Sequence, residues 1–146
     1  MRLRAYHLGL ALIALFALGH LTGFLVAAYD ARHDPALAEV TAMMRAHRSP
    51  LMGFAPSLLD FREYASLCYS LLLAGCGALG WQVTRRPQVA LSQVAAVSRT
   101  YTVLFTVLAV ASLAYGVAQG IVSGVAIAAV FARAARDVHR PISADC

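Results

Sequence analysis

From Leu8 to Ala28 the chain runs 21 residues without an Asp, Glu, Lys or Arg. A helix rises ~1.5 Å per residue, so this run covers about 30 Å, the hydrocarbon thickness of a bilayer. Three further apolar stretches follow, predicting helices over about 57–83, 94–111 and 115–132. The expected architecture is all-α: a polytopic four-helix transmembrane bundle, one domain over 1–146. Composition agrees, with 60% hydrophobic and only 13% charged residues and a mean hydropathy of +0.69. Soluble domains carry about 25% charged residues, enough to cover a core with polar surface.

The net charge is +5, and all twelve basic residues are Arg. They cluster beside apolar segments, as topology signals do, and this argues against nucleic acid as a partner. An N-in, C-in arrangement puts Arg2, Arg4, Arg85, Arg86, Arg99, Arg133, Arg136 and Arg140 on the inner side. It leaves Arg32, Arg45, Arg48 and Arg62 outside. That asymmetry predicts a bacterial inner-membrane protein with both termini cytoplasmic. Val26-Ala27-Ala28 resembles a cleavage site, but the apolar run before it is too long for a signal peptide, and an uncleaved first helix is expected.

Residues 29–56 form the one long loop. Asp34-Pro35 reads as a cap followed by a first-turn proline. Over about 35–47, Leu37, Val40 and Met44 share one face of a short amphipathic helix, expected on the membrane surface or over the bundle. Ser49-Pro50 and Gly53 end it. Ser57 with Asp60 three residues later has the spacing of a capping box opening the second helix. Thr84-Arg85-Arg86-Pro87 stops that helix. The turn between the third and fourth helices falls somewhere from Ser112 to Gln119.

The fourth helix carries a small residue at every fourth position: Gly116, Gly120, Gly124, Ala128 and Ala132. A neighbouring backbone can approach closely along such a stripe, either inside the bundle or in a partner subunit or second copy. The first helix has a shorter stripe, Gly19, Gly23 and Ala27.

His20 is the one ionisable group far from both membrane faces. It lies about 18 Å above Leu8 along the helix. At that height the other helices place Cys68, Tyr69, Thr106, Gln119 and Ser123, which makes these six residues a candidate ligand pocket. Ser98, Thr102 and Thr106 form a polar strip. The alternative is plain hydrogen bonding between helices. At the outer mouth, Asp60, Glu63 and Tyr64 join His20 as candidate catalytic groups for acid–base chemistry on a lipid headgroup. The structural alternative there is that Asp60 caps its helix.

No cofactor or metal is expected. Haem would need a second deep His, and His7 lies near the opposite face. His33, His47, Asp30, Asp34 and Glu39 lack ligand spacing. Cys68, Cys76 and Cys146 form no redox or metal motif, and the first two are too far apart on one helix to bridge.

The segment Gly19-His20-Leu21-Thr22, then Pro35, Val40, Met44 and Gly53, then Ser57-Leu58-Leu59-Asp60-Phe61-Arg62-Glu63-Tyr64-Ala65-Ser66-Leu67 resembles a group of small bacterial four-helix integral membrane proteins of unknown function. The resemblance covers roughly the first half of the chain. It implies the four-helix membrane fold and brings no activity with it.

Two functions are therefore expected in competition. One is a non-enzymatic accessory subunit or lipophilic-ligand-binding protein in contact with membrane lipids. The other is a membrane enzyme acting on a lipid or quinone-like substrate at the outer leaflet through His20 with Asp60, Glu63 or Tyr64. A transporter is disfavoured, because four helices are few and the halves show no inverted repeat.

Overall fold

A computed structural model of the chain describes residues 3–50, 55–85 and 91–139. Arg2, Gly53, Arg86, Pro87, Arg140 and Cys146 lie outside these. The described residues form five helices: α1 (Arg4–His33), α2 (Pro35–Ala46), α3 (Leu58–Arg85), α4 (Leu91–Ala114) and α5 (Ala118–His139). Four of them, α1, α3, α4 and α5, are long and apolar enough to cross a membrane, with mean hydropathies of 2.2, 1.3, 1.7 and 1.5.

Each long helix runs past the C-terminal end of its apolar segment, and α1 and α4 past the N-terminal end too. α1 extends from Arg4 to His33 rather than 8–28, and α4 spans Leu91–Ala114 rather than 94–111. α3 matches more closely, at Leu58–Arg85 against 57–83. Hydrophobicity marks what can sit in hydrocarbon, whereas the helical ladder continues until a breaker stops it. α5 shows this best. It runs to His139 rather than 132, through alanines and the i, i+4 pair Arg133–Asp137, 3.7 Å apart.

The turn between α4 and α5 is at 115–117, and it corrects the small-residue stripe. Gly116 adopts φ 68°, a left-handed conformation that a side chain disfavours, and so lies in the turn and not on α5. The Gly116 amide donates to Leu113 O and the Val117 amide to Ser112 O, closing the end of α4. α5 consequently starts at Ala118, not at Tyr115.

Packing divides the chain into two compact units, one of Met1–Leu15 with Gly75–Cys146 and one of Phe16–Ala74. Both boundaries fall inside helices α1 and α3, not in a linker.

In the first unit α4 and α5 form an antiparallel hairpin. The glycines on α5 let it close. A Cβ at Gly124 would stand 2.9 Å from Ala109 Cβ and 3.0 Å from the Phe105 carbonyl, and one at Gly120 would collide with the Ser112 hydroxyl. Of the remaining stripe, Gly120, Gly124 and Ala128 are thus buried within the chain, and Ala132 is half-buried. Aromatic rings fill the other end. Phe131 is fully buried, with Tyr101 at 5.0 Å and Tyr6 at 5.6 Å, both edge-on. The Tyr6 hydroxyl donates to Gly80 O at 3.0 Å, and the Tyr101 hydroxyl to Cys76 O at 2.5 Å. These two phenols tie α1 and α4 to the C-terminal half of α3.

In the second unit α2 lies between the ends of α1 and α3, and its caps fix it there. Asp34 is the N-cap, its carboxylate accepting from Ala36 N at 2.9 Å, with Pro35 in the first turn. Beyond α2 the chain doubles back. Leu58 N donates to His47 O at 2.9 Å and Ser49 N to Pro56 O at 3.2 Å, while Arg48 Nη1 reaches Ala55 O. The expected capping box opens α3, with Ser57 Oγ accepting from Asp60 N at 3.1 Å and Asp60 Oδ2 accepting from Ser57 N at 2.9 Å. α2 itself ends at Ala46 and buries no residue. Of its expected apolar face, Leu37 and Val40 are exposed and Met44 is half-buried; the neighbouring Met43 is exposed too.

Candidate functional site

The second unit holds a cleft of about 340 Å³, lined by one face of each of three helices. From α1 come Phe24, Ala27, Ala28, Ala31 and Arg32, the i, i+3, i+4, i+7, i+8 series of a single helical face. α2 presents Ala38, Thr41, Ala42 and Arg45 at the same spacing. Leu59, Arg62 and Glu63 come from the first turns of α3. The floor is small and apolar, and Leu59 is buried. The rim carries three guanidinium groups, one from each helix, and one carboxylate. On α2 the cleft face and the exposed Leu37–Val40 face lie about a third of a turn apart. The helix therefore has two working faces, and the one turned to the protein is the alanine face, not the larger apolar one.

His20 and Tyr69 are brought together. Their rings meet edge-to-face with centroids 4.9 Å apart, and Phe16 touches the same tyrosine at 6.1 Å. His20 Nε2 is sealed from solvent and has no hydrogen-bond partner. Cys68, the next residue on the helix, is exposed. The other members of the expected layer, Thr106, Gln119 and Ser123, belong to the first unit. Their hydroxyls are used locally: Thr106 Oγ1 donates to Thr102 O at 2.7 Å, and Ser123 Oγ to Gln119 O at 2.6 Å. The whole polar strip of α4 does the same, Ser98 bonding Val94 O and Thr102 bonding Ser98 O. Such bonds satisfy a hydroxyl inside its own helix without a neighbour.

The three acid–base candidates on α3 take different positions. Asp60 is engaged in the cap. Tyr64 is 67% exposed. Glu63 lines the cleft. Among the described residues, no three His, Cys, Asp or Glu groups come together in a metal-binding arrangement.

By sequence alone Arg32, Arg45 and Arg62 are charges on the outer side. Arg32 and Arg45 follow alanines by one turn on their helix faces, whereas Arg62 follows Leu59, and three separate faces become one site only when the helices meet. No family model, curated protein or solved structure matches this chain.

Proposed function

We propose that this chain is a non-enzymatic integral membrane protein that binds a lipid or lipophilic ligand in the cleft between α1, α2 and α3. The carrying observation is the cleft itself, with its alanine floor and its rim of charge. Membrane insertion is supported by where the apolar surface points. In the most apolar windows of α1 and α3 only 17% of residues are buried, and Leu15, Leu18, Leu71 and Leu72 all stand at least 60% exposed. A soluble protein rarely leaves so large a continuous apolar surface to water. Bilayer hydrocarbon is the solvent that suits it.

The four-span, N-in and C-in topology in an inner membrane rests on the arginine distribution. It puts the cleft and α2 at the outer face, with Leu37, Val40 and Met43 toward the lipid interface. In a cysteine-free background, Glu39→Cys on α2 should then react with a membrane-impermeant maleimide added from outside, without permeabilisation. A partner subunit docking on α5 would use the face bearing Val122 and Val125, which are exposed, because the glycines are occupied by α4.

Ligand binding is tested by native mass spectrometry of the detergent-solubilised protein. Lipid should copurify with the wild type and be lost from Ala28→Trp, which fills the floor. Retention of the same lipid by a folded Ala28→Trp protein would overturn the reading.

A second reading, a lipid-modifying enzyme, draws support from the Glu63 carboxylate in the cleft. There it would serve as general base, with His20 placed deeper on α1. Turnover of a bound lipid that Glu63→Gln abolishes while binding persists would favour it.

A further inference from the structure

We propose that the cleft selects an anionic phospholipid, its phosphate held by Arg32, Arg45 and Arg62 and its first acyl carbons laid on the alanine floor. This rests on the lipid-binding reading and names the headgroup. Three arginines against Glu63 leave the rim with a formal charge of 3 − 1 = +2. None of the three guanidinium groups closes a salt bridge to a described carboxylate, although the Asp60 carboxylate lies near enough to Arg45 to interact with its charge. Each arginine comes from a different helix. Arginines used only as interface anchors would spread around the perimeter, whereas these converge on one concavity.

The guanidinium fork matches the geometry of a phosphate, and charge-assisted bonds of this kind strengthen where water is partly excluded. Apart from the three arginines and Glu63, Thr41 brings the one polar side chain to the lining. Ala27, Ala28 and Ala31 of α1 and Ala38 and Ala42 of α2 line the same cleft, and their small side chains leave room for methylene groups. A volume near 340 Å³ sits at the lower end of ligand pockets, room for a headgroup and the start of its chains rather than a whole lipid. A soluble phosphate would use the rim and leave the floor empty. A lipid uses both.

The experiment titrates detergent-solubilised protein with phosphatidylglycerol, with phosphatidylcholine of the same chains and with inorganic phosphate, reading bound ligand by native mass spectrometry. Phosphatidylglycerol should be retained over phosphatidylcholine. Arg45→Gln and Arg62→Gln should each weaken phosphatidylglycerol by roughly tenfold and leave phosphatidylcholine unchanged. Glu63→Gln should tighten phosphatidylglycerol, a gain that misfolding cannot produce. Equal binding of the two lipids, insensitive to all three substitutions, would overturn the headgroup assignment. In that case loss of both lipids from Ala28→Trp would leave the lipid-binding reading standing, and their retention would remove it too. Displacement of phosphatidylglycerol by inorganic phosphate with the same arginine dependence would also overturn the proposal, in favour of a free anion.

Discussion

Ser57 and Asp60 cap each other, the Asp60 carboxylate accepting from the Ser57 amide at 2.9 Å and the Ser57 hydroxyl accepting from the Asp60 amide at 3.1 Å. One carboxylate that looks catalytic by its place at a membrane mouth is thereby committed to starting a helix. The cap also sets the height at which Arg62 and Glu63 leave α3, since they follow within its first two turns.

Removing either half of the cap should loosen the start of α3. Ser57→Ala and Asp60→Ala are each expected to cost ~1 kcal/mol, and the double variant less than the sum, because the two bonds form one unit. Asp60→Asn keeps an acceptor and should be milder. Thermal unfolding in detergent reads all four. A loss of ligand turnover in Asp60→Asn without a loss of stability would instead return Asp60 to the catalytic candidates.

The α4–α5 contact predicts that both glycines resist a side chain. At Gly124 an added methyl meets Ala109 Cβ at 2.9 Å and the Phe105 carbonyl at 3.0 Å. At Gly120 it meets the Ser112 hydroxyl, which can rotate, and Ser112 Cβ at 2.9 Å, which cannot. Gly124→Ala and Gly120→Ala should therefore each cost about 1–3 kcal/mol. Leucine at either position should separate the helices. The readout is thermal stability, together with the yield of a monodisperse protein.

Gly116 should reject a side chain for a different reason. Space around it is open, so its φ of 68° is the constraint. Gly116→Ala should cost about 1–2 kcal/mol and Gly116→Asn less, because asparagine tolerates the left-handed region. Equal stability of the two variants would show that the turn adopts another conformation.

His20→Phe should be neutral or slightly stabilising. The change keeps the edge-to-face contact with Tyr69 and removes a nitrogen that is sealed without a partner. His20→Ala should lose ring packing and unfold at lower temperature. If His20→Phe folds normally yet loses ligand binding, His20 belongs to the site rather than to the packing.

Several elements were legible before any tertiary information. Asp34-Pro35 and Ser57…Asp60 announce their caps, because capping is decided within four residues of chain. The four apolar helices follow from their length and hydropathy. The α4–α5 turn was bracketed but not placed, since apolar character continues almost unbroken through it. Only the backbone conformation of Gly116 locates it.

The cleft belonged to a different order of information. Sequence fixes that Ala27, Ala28, Ala31 and Arg32 share a face of α1, and that Ala38, Ala42 and Arg45 share one of α2, because helical periodicity is local. Which face turns inward is set by the packing. α2 had a more hydrophobic face available in Leu37 and Val40, yet it is the alanine face that lines the cleft, where small side chains leave the space open. The stripe on α5 was likewise visible as a place for a close neighbour, and the tertiary structure named α4 as that neighbour through Gly124 and Ala109. The apolar helices were written in the sequence itself, since hydrophobicity is a property of each residue. The meeting of Arg32, Arg45 and Arg62 was decided by tertiary structure, since convergence is a property of three helices at once.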